Sequence, residues 1–144
     1  MNIAIQLDER GRMPEYATPG SAGADLRAAI ENSVVIYPGE RKAISTGLNV
    51  AIPNGFEMQI RSRSGLALNY GIVVANAPGT VDSDYRGEVR VILTNISDQP
   101  WIVCQGDRIA QAIIAPVCQA KFVIADSLSV TERGDGAFGS TGSK

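Results

Sequence analysis

The stretch Glu88-Val89-Arg90-Val91-Ile92-Leu93-Thr94-Asn95 decides the fold class. Val89, Val91 and Leu93 share one face, while Glu88, Arg90 and Thr94 share the other. This is the period-2 alternation of a half-buried strand. The same texture recurs outward in both directions. Short runs rich in Val, Ile, Thr and Phe predict further strands at Asn2–Leu7, Asp25–Ala29, Ser33–Ile36, Arg41–Ser45, Leu48–Ile52, Phe56–Arg61, Ile72–Ala75, Trp101–Val103, Arg108–Pro116 and Lys121–Ile124. Between them fall Pro19-Gly20, Pro38-Gly39, Pro53-Asn54-Gly55, Pro78-Gly79 and Gln105-Gly106. Such pairs mark turns, because Pro presets φ and Gly tolerates positive φ. Helical periodicity is confined to Ser64–Asn69, with Ser62 or Ser64 as the expected N-cap. The pattern predicts an all-β sandwich, jelly roll or barrel. One domain is expected over residues 1–130, followed by a glycine-rich tail over 131–144.

Composition narrows the chemistry. The 144 residues are 44% hydrophobic and 19% charged, ordinary values for a chain with a packed core. A net charge of −2 argues against a broadly basic nucleic-acid binder. There is no histidine, which excludes Ser-His-Asp and Cys-His catalysis and any imidazole base or ligand. A general base must then be a carboxylate, Lys, Tyr or Cys. Cys104 and Cys118 lack metal-ligand spacing and are expected to be small, reduced core residues. No apolar stretch approaches 18 residues and no signal peptide is evident. A cytosolic protein, or an intracellular virus-encoded one, is the expectation.

Five segments can carry chemistry. The loop Pro78-Gly79-Thr80-Val81-Asp82-Ser83-Asp84-Tyr85-Arg86-Gly87-Glu88 gathers charged groups and a Tyr in a hairpin-like connection between two predicted strands. Its aspartates either cap backbone N–H groups as Asx turns or supply a water-activating carboxylate. Arg61-Ser62-Arg63-Ser64-Gly65-Leu66-Ala67 joins a strand to the single helical turn and is either an anion site or an ordinary capped turn. In Gly106-Asp107-Arg108-Ile109-Ala110-Gln111 the charges read as a turn with a surface ion pair, whereas Gln111 is an amide in an apolar strand and needs partners. Ala22-Gly23-Ala24-Asp25-Leu26 opens a strand with a carboxylate that is either functional or an ordinary turn Asp. The tail holds Gly134-Asp135-Gly136-Ala137-Phe138-Gly139, a G-x-G-x-x-G match. A dinucleotide fingerprint needs a helix and an acidic residue further on, and neither fits before Lys144. A near-match to the P-loop fails because Ser140 stands where the lysine belongs. What survives is either a flexible terminus or a segment whose backbone N–H groups, hydroxyls and Arg133 suit phosphate oxygens and whose Phe138 suits a base.

In this order the five segments resemble the homotrimeric dUTPase family. Two positions depart from its pattern: Ser62 where Pro is frequent, and Ala137 where Gly is frequent. The resemblance implies a single-domain β-jelly-roll with one short helix and a flexible C-terminal tail. It implies Mg²⁺-dependent hydrolysis of dUTP to dUMP and pyrophosphate, limiting uracil in DNA and supplying dUMP for thymidylate synthesis. It also implies a homotrimer with shared active sites, and neither a nucleic-acid nor a membrane partner. By that resemblance Asp82 would activate the attacking water, with Arg63 and Gln111 as its catalytic companions at the phosphates. Ser64 and Gly65 would bind phosphate as well. Gly79, Thr80, Val81 and Asp84 would form the uracil-reading loop, with Asn76 beside it and Tyr85 under the deoxyribose. Phe138 would stack on uracil. Arg133, Gly139, Ser140 and Thr141 would close over the phosphates, and Asp25 would hold Mg²⁺ through water. Two alternatives accompany this reading: a dCTP-deaminase-like relative of the same fold, and a catalytically silent nucleotide-binding trimer.

Overall fold

The computed structural model describes residues 1–138. Eleven strands and one helix make up the described chain: β1 (Ala4–Leu7), β2 (Glu15–Tyr16), β3 (Ala24–Arg27), β4 (Val34–Ile36), β5 (Arg41–Ala51), β6 (Phe56–Arg61), α1 (Ser64–Tyr70), β7 (Ile72–Val74), β8 (Gly79–Val81), β9 (Glu88–Asn95), β10 (Trp101–Val103) and β11 (Arg108–Pro116). They form a four-stranded sheet in the order β1-β5-β9-β7, a five-stranded sheet in the order β2-β3-β11-β6-β8, and a small β10-β4 pair. Every pairing is antiparallel. The result is an all-β, jelly-roll-like fold.

The alternation read in Glu88–Asn95 is what closes the core. Val89, Val91 and Leu93 are at most 2% exposed. They pack with Ile44 and Leu48 of β5, Ile36 of β4, Ile72 of β7 and Ile109 of β11. Asn95 ends that strand fully buried, yet it is satisfied. Its Nδ2 donates to the carbonyls of Ile36 (2.9 Å) and Gln99 (2.7 Å), and its Oδ1 accepts from the Ser97 backbone N–H (2.9 Å) and hydroxyl (2.7 Å). A buried amide so bonded avoids the desolvation penalty that an orphan would carry.

Arg41–Ser45 and Leu48–Ile52 prove to be one strand, β5. The break read between them is a bulge: Ser45 pairs with Arg90, but the next partnership is Asn49 with Glu88. Gly47 occupies it at φ +63, a region costly for a side chain. Glu88 fastens the bulge. Its carboxylate accepts from the backbone N–H groups of Thr46 (3.1 Å) and Gly47 (2.9 Å) and from the Ser45 hydroxyl (3.5 Å). Glu88→Ala would strand two buried N–H groups, so we expect a loss of roughly 2–4 kcal/mol of stability. The urea denaturation midpoint at fixed protein concentration measures it, and an unchanged midpoint would exclude a clamping role.

Other expectations are corrected. Lys121–Ile124 is not a strand; residues 117–138 contain neither strand nor helix. Phe122 and Ile124 are 94% and 103% exposed, so the local β propensity has no sheet to join among the described residues. Two strands too short to show alternation, β2 and β8, were not evident from the sequence. The helix starts at Ser64, but its N-cap is Arg63, with no side-chain cap bond. Ser62 Oγ is diverted to accept from the Val74 N–H (2.9 Å), tying β7 to the helix entrance. Cys104 and Cys118 are free thiols, as expected, but both are exposed rather than core. Cys104 lies in the turn after β10, and Cys118 lies past the end of β11.

Candidate active site

Asp25, Gln111 and Arg61 face one another across three adjacent strands. Gln111 on β11 pairs with Asp25 on β3 on one side and with Arg61 on β6 on the other. Directly opposed residues project to the same face of a sheet. Gly23 packs against the Gln111 side chain, with atoms of that side chain 3.1–3.3 Å from where a Gly23 Cβ would lie. The β3 segment and the β11 segment are therefore in intimate contact.

Asp25 is the buried charge of this cluster, its side chain 8% exposed. Its Oδ1 accepts from Arg63 Nε at 3.1 Å, and its Oδ2 accepts from Arg108 Nη1 at 3.2 Å. Arg63 Nη1 also donates to the Arg108 carbonyl at 3.4 Å. The expected surface pair between Asp107 and Arg108 does not form. Asp107 Oδ2 instead accepts from the Cys104 N–H (2.7 Å), closing the turn before β11. Arg63 and Arg108 line a cleft of about 350 Å³ with Leu66, Tyr70, Trp101, Ile102 and Asp107. Ser64 and Gly65 begin α1 immediately after Arg63. Asp25, Arg63, Ser64, Gly65 and Gln111 thus gather at one place.

The Asp82 loop lies elsewhere. β7 and β9 are antiparallel neighbours, so the hairpin-like connection is real. Within it Gly79–Val81 crosses to the other sheet and pairs with β6 as β8. Residues 82–87 then return to β9 in the four-stranded sheet. Asp82 and Asp84 are exposed, and their side chains accept no hydrogen bond and form no ion pair among the described residues. Neither acts as an Asx cap; the Tyr85 N–H (3.2 Å) is bonded to the Asp82 backbone carbonyl instead. Tyr85 is held by its hydroxyl, which donates to the Glu88 carbonyl at 3.0 Å. Its ring lies so close over Gly87 that a Cβ there would strike it. Asn76 is exposed in the turn between β7 and β8. Thr80, Asp82, Ser83 and Asp84 line a separate cavity of about 840 Å³ with Phe56, Glu57 and Arg86.

The two groups are far apart within one chain. Asp25, on which the Arg63 guanidinium rests, is on β3, three strands from β8 in the sheet order. At ~4.8 Å between strands that is roughly 14 Å laterally. Along the strands, Val81 is level with Met58 but Gln111 with Arg61, three residues further on, which adds roughly 10 Å. Asp82 and Arg63 both lie further out, in opposite directions.

The tail residues stand apart from both groups. Arg133 Nε donates to the Gly136 carbonyl (2.9 Å), and the Gly134 and Gly136 N–H groups bond to the Thr131 and Arg133 carbonyls. Phe138 is fully exposed. Gly139, Ser140 and Thr141 lie outside the described residues.

No group of three or more carboxylates or thiols suited to a metal ion occurs among the described residues. Mg²⁺ commonly keeps several waters and takes one or two carboxylates plus substrate phosphates. Asp25 fits that mode only through water, since each of its oxygens already accepts a guanidinium N–H. A protein cage for the ion does not fit.

Comparison with known proteins gives the family. The dUTPase family model matches residues 9–142. The deoxyuridine 5'-triphosphate nucleotidohydrolase of Chlamydia pneumoniae is 54% identical over 143 residues, covering 99% of each chain. That of Treponema denticola is 55% identical over 142 residues, again covering 99% of each. Among solved structures, the dUTPase of Staphylococcus bacteriophage 80alpha with dUPNHPP matches at a TM-score of 0.89 and 27% identity, over 98% of each chain. On sequence and on fold alike, the chain belongs to the dUTPase family.

Proposed function

We propose that this protein hydrolyses dUTP to dUMP and pyrophosphate, in sites that each combine residues from more than one copy of the chain. The observation that carries the reading is the separation just described. The carboxylate suited to aim a water stands at one end of the five-stranded sheet, and the guanidinium and amide suited to phosphates stand at the other. One triphosphate cannot reach both within a single chain. Closed rotational assembly brings one end of a protomer against the opposite end of its neighbour, and a trimer is the form we propose. The relatives' names and the phage enzyme's nucleotide support the substrate.

In this reading Asp82 orients and deprotonates a water for in-line attack on the α-phosphorus. Its side chain has no partner among the described residues, which leaves both its oxygens available. Tyr85, pinned by Glu88 and Gly87, supports the deoxyribose. The backbone of Gly79–Asp84, with Asn76, presents donors and acceptors in fixed order to the uracil edge. A site built to hydrogen-bond one base edge rejects analogues lacking it by about 10⁴-fold. Arg63, Gln111, Ser64 and Gly65 neutralise and position the phosphates; phosphoryl transfer asks mainly for such positioning and charge. Bound Mg²⁺ supplies further charge neutralisation on the phosphate oxygens, with Asp25 as its water-mediated contact. Residues 131–144 form a tail that closes over the nucleotide through Arg133, Phe138, Gly139, Ser140 and Thr141. Such lids exclude water and commit substrate. No helix among the described residues is long and apolar enough to cross a membrane, and we assign the activity to the cytoplasm.

The test is pyrophosphate release. With dUTP and Mg²⁺ the protein should yield equimolar dUMP and pyrophosphate, and should leave dCTP and dTTP essentially untouched. Uracil-containing product from dCTP would favour a deaminase. No turnover of any nucleotide, with binding retained, would leave a silent binding trimer.

A further inference from the structure

Arg108 has no role in the reading above, and Asp25 has only a water-mediated one toward the metal. The structure gives them a joint task. We propose that Arg108 is a positioning residue: through the shared carboxylate of Asp25 and its own carbonyl, it fixes the Arg63 guanidinium for the triphosphate, independently of Mg²⁺. The proposal rests on the dUTPase reading, in which Arg63 meets phosphate.

Three contacts define the arrangement. Arg63 Nε and Arg108 Nη1 donate to different oxygens of Asp25, at 3.1 and 3.2 Å, and Arg63 Nη1 donates to the Arg108 carbonyl at 3.4 Å. Arg63 is thereby held by two of its N–H directions, one of them to a charged acceptor, and such bonds are stronger than neutral ones. The exposures are graded in a telling way. The Asp25 side chain is 8% exposed, Arg63 22% and Arg108 47%. The carboxylate is the buried hub, Arg63 is gripped, and Arg108 is the outer brace.

Charge count gives the arrangement its direction. One carboxylate compensates one guanidinium, so the trio carries a net +1. Asp107 lines the same cleft, but its carboxylate is turned to the Cys104 N–H and forms no ion pair among the described residues. Two guanidiniums converging on one buried carboxylate are tolerated because the carboxylate needs partners. Their residual positive charge is satisfied when an anion enters the cleft. Taking away Arg108 leaves Asp25 as a one-to-one partner of Arg63. The guanidinium is then neutralised, and free to follow the carboxylate rather than the phosphate. The proposed effect is on phosphate affinity, not on the water-activating step at Asp82, and it requires no metal.

That independence makes the test. Binding of the uncleavable analogue α,β-imido-dUTP to the intact protein is measured by calorimetry, once in EDTA and once in Mg²⁺. Arg108→Gln should weaken binding about tenfold in both buffers. Arg108→Lys, which keeps the charge, should recover most of the loss. In an Arg63→Gln background the same Arg108→Gln change should cost less than threefold, because its effect passes through Arg63. In an Asp25→Asn background, too, the Arg108→Gln change should cost less than threefold in EDTA, because the carboxylate that couples the two guanidiniums is gone. Thermal melts identify any variant that fails to fold, and half-exposed Arg108 keeps the test valid if buried Asp25 cannot be changed. Arg108→Gln binding like the parent in EDTA, or a loss that multiplies fully with that of Arg63→Gln, overturns the proposal. An unmodified protein that turns over dUTP while Arg108→Gln binds normally refutes the positioning role alone. A protein that neither binds the analogue nor cleaves dUTP refutes the function itself.

Discussion

Asp82→Asn is expected to lower kcat for dUTP by about 10³-fold, the middle of the range for a lost general base. The amide keeps the shape of the side chain and can still touch a water, but it cannot take the proton or orient the lone pair toward phosphorus. Because Asp82 is exposed and its side chain has no protein partner among the described residues, the substitution has nothing structural to break. Melting temperature and analogue affinity should both stay close to those of the parent. This combination separates chemistry from folding and from binding. Single-turnover kinetics with a saturating nucleotide measure the chemical step directly. A fall in kcat below tenfold would mean that another group activates the water, and with no histidine in the chain the candidates are few. Asp84, two residues on, lines the same cavity and would be next.

Complementation between inactive subunits is the second large effect. Asp82→Asn and Arg63→Gln each remove one half of the proposed site, and each alone should be nearly inactive. If every site draws Asp82 and Arg63 from different copies, co-refolded 1:1 mixtures contain sites with both residues intact. Random assembly into closed rings makes that fraction about a quarter, so the mixture should regain about 25% of parental activity per site. The expected rise is from near zero to a quarter, which a pyrophosphate assay resolves easily. If each chain held both residues at one site, no mixture would regain anything. The outcome thus tests the roughly 14 Å lateral gap between β3 and β8 as a functional fact. Arg63→Gln removes one guanidinium from Asp25 while Arg108 remains, so the folded state should survive the change.

Much of the fold was legible because β-sheets write themselves in period two. Glu88–Asn95, Phe56–Arg61, Trp101–Val103 and Arg108–Pro116 occur at their expected bounds. In Glu88–Asn95 the side-chain alternation and the burial pattern are the same statement, with Val89, Val91 and Leu93 inward. Where the sequence misled, a long-range partner decided. Lys121–Ile124 has the composition of a strand, but a strand exists only when a neighbour supplies its ladder. Ser62 has the chemistry of an N-cap, yet its hydroxyl is taken by the Val74 N–H from a segment 12 residues away. Cys104 has a core-type side chain, but the turn built by Asp107 brings it to the surface.

Residue type and the order of the five segments were enough to identify the family. They could not say which carboxylate is free and which is spent. Asp25 and Asp82 are the same side chain in similar turn-like strings. Folding buries one between two guanidiniums from β11 and the start of α1, and leaves the other bare at the far corner of the sheet. Local sequence governs which backbone shapes are cheap and which faces are apolar. Distance across a sheet depends on strand order and register, which are properties of contacts between segments remote in the chain.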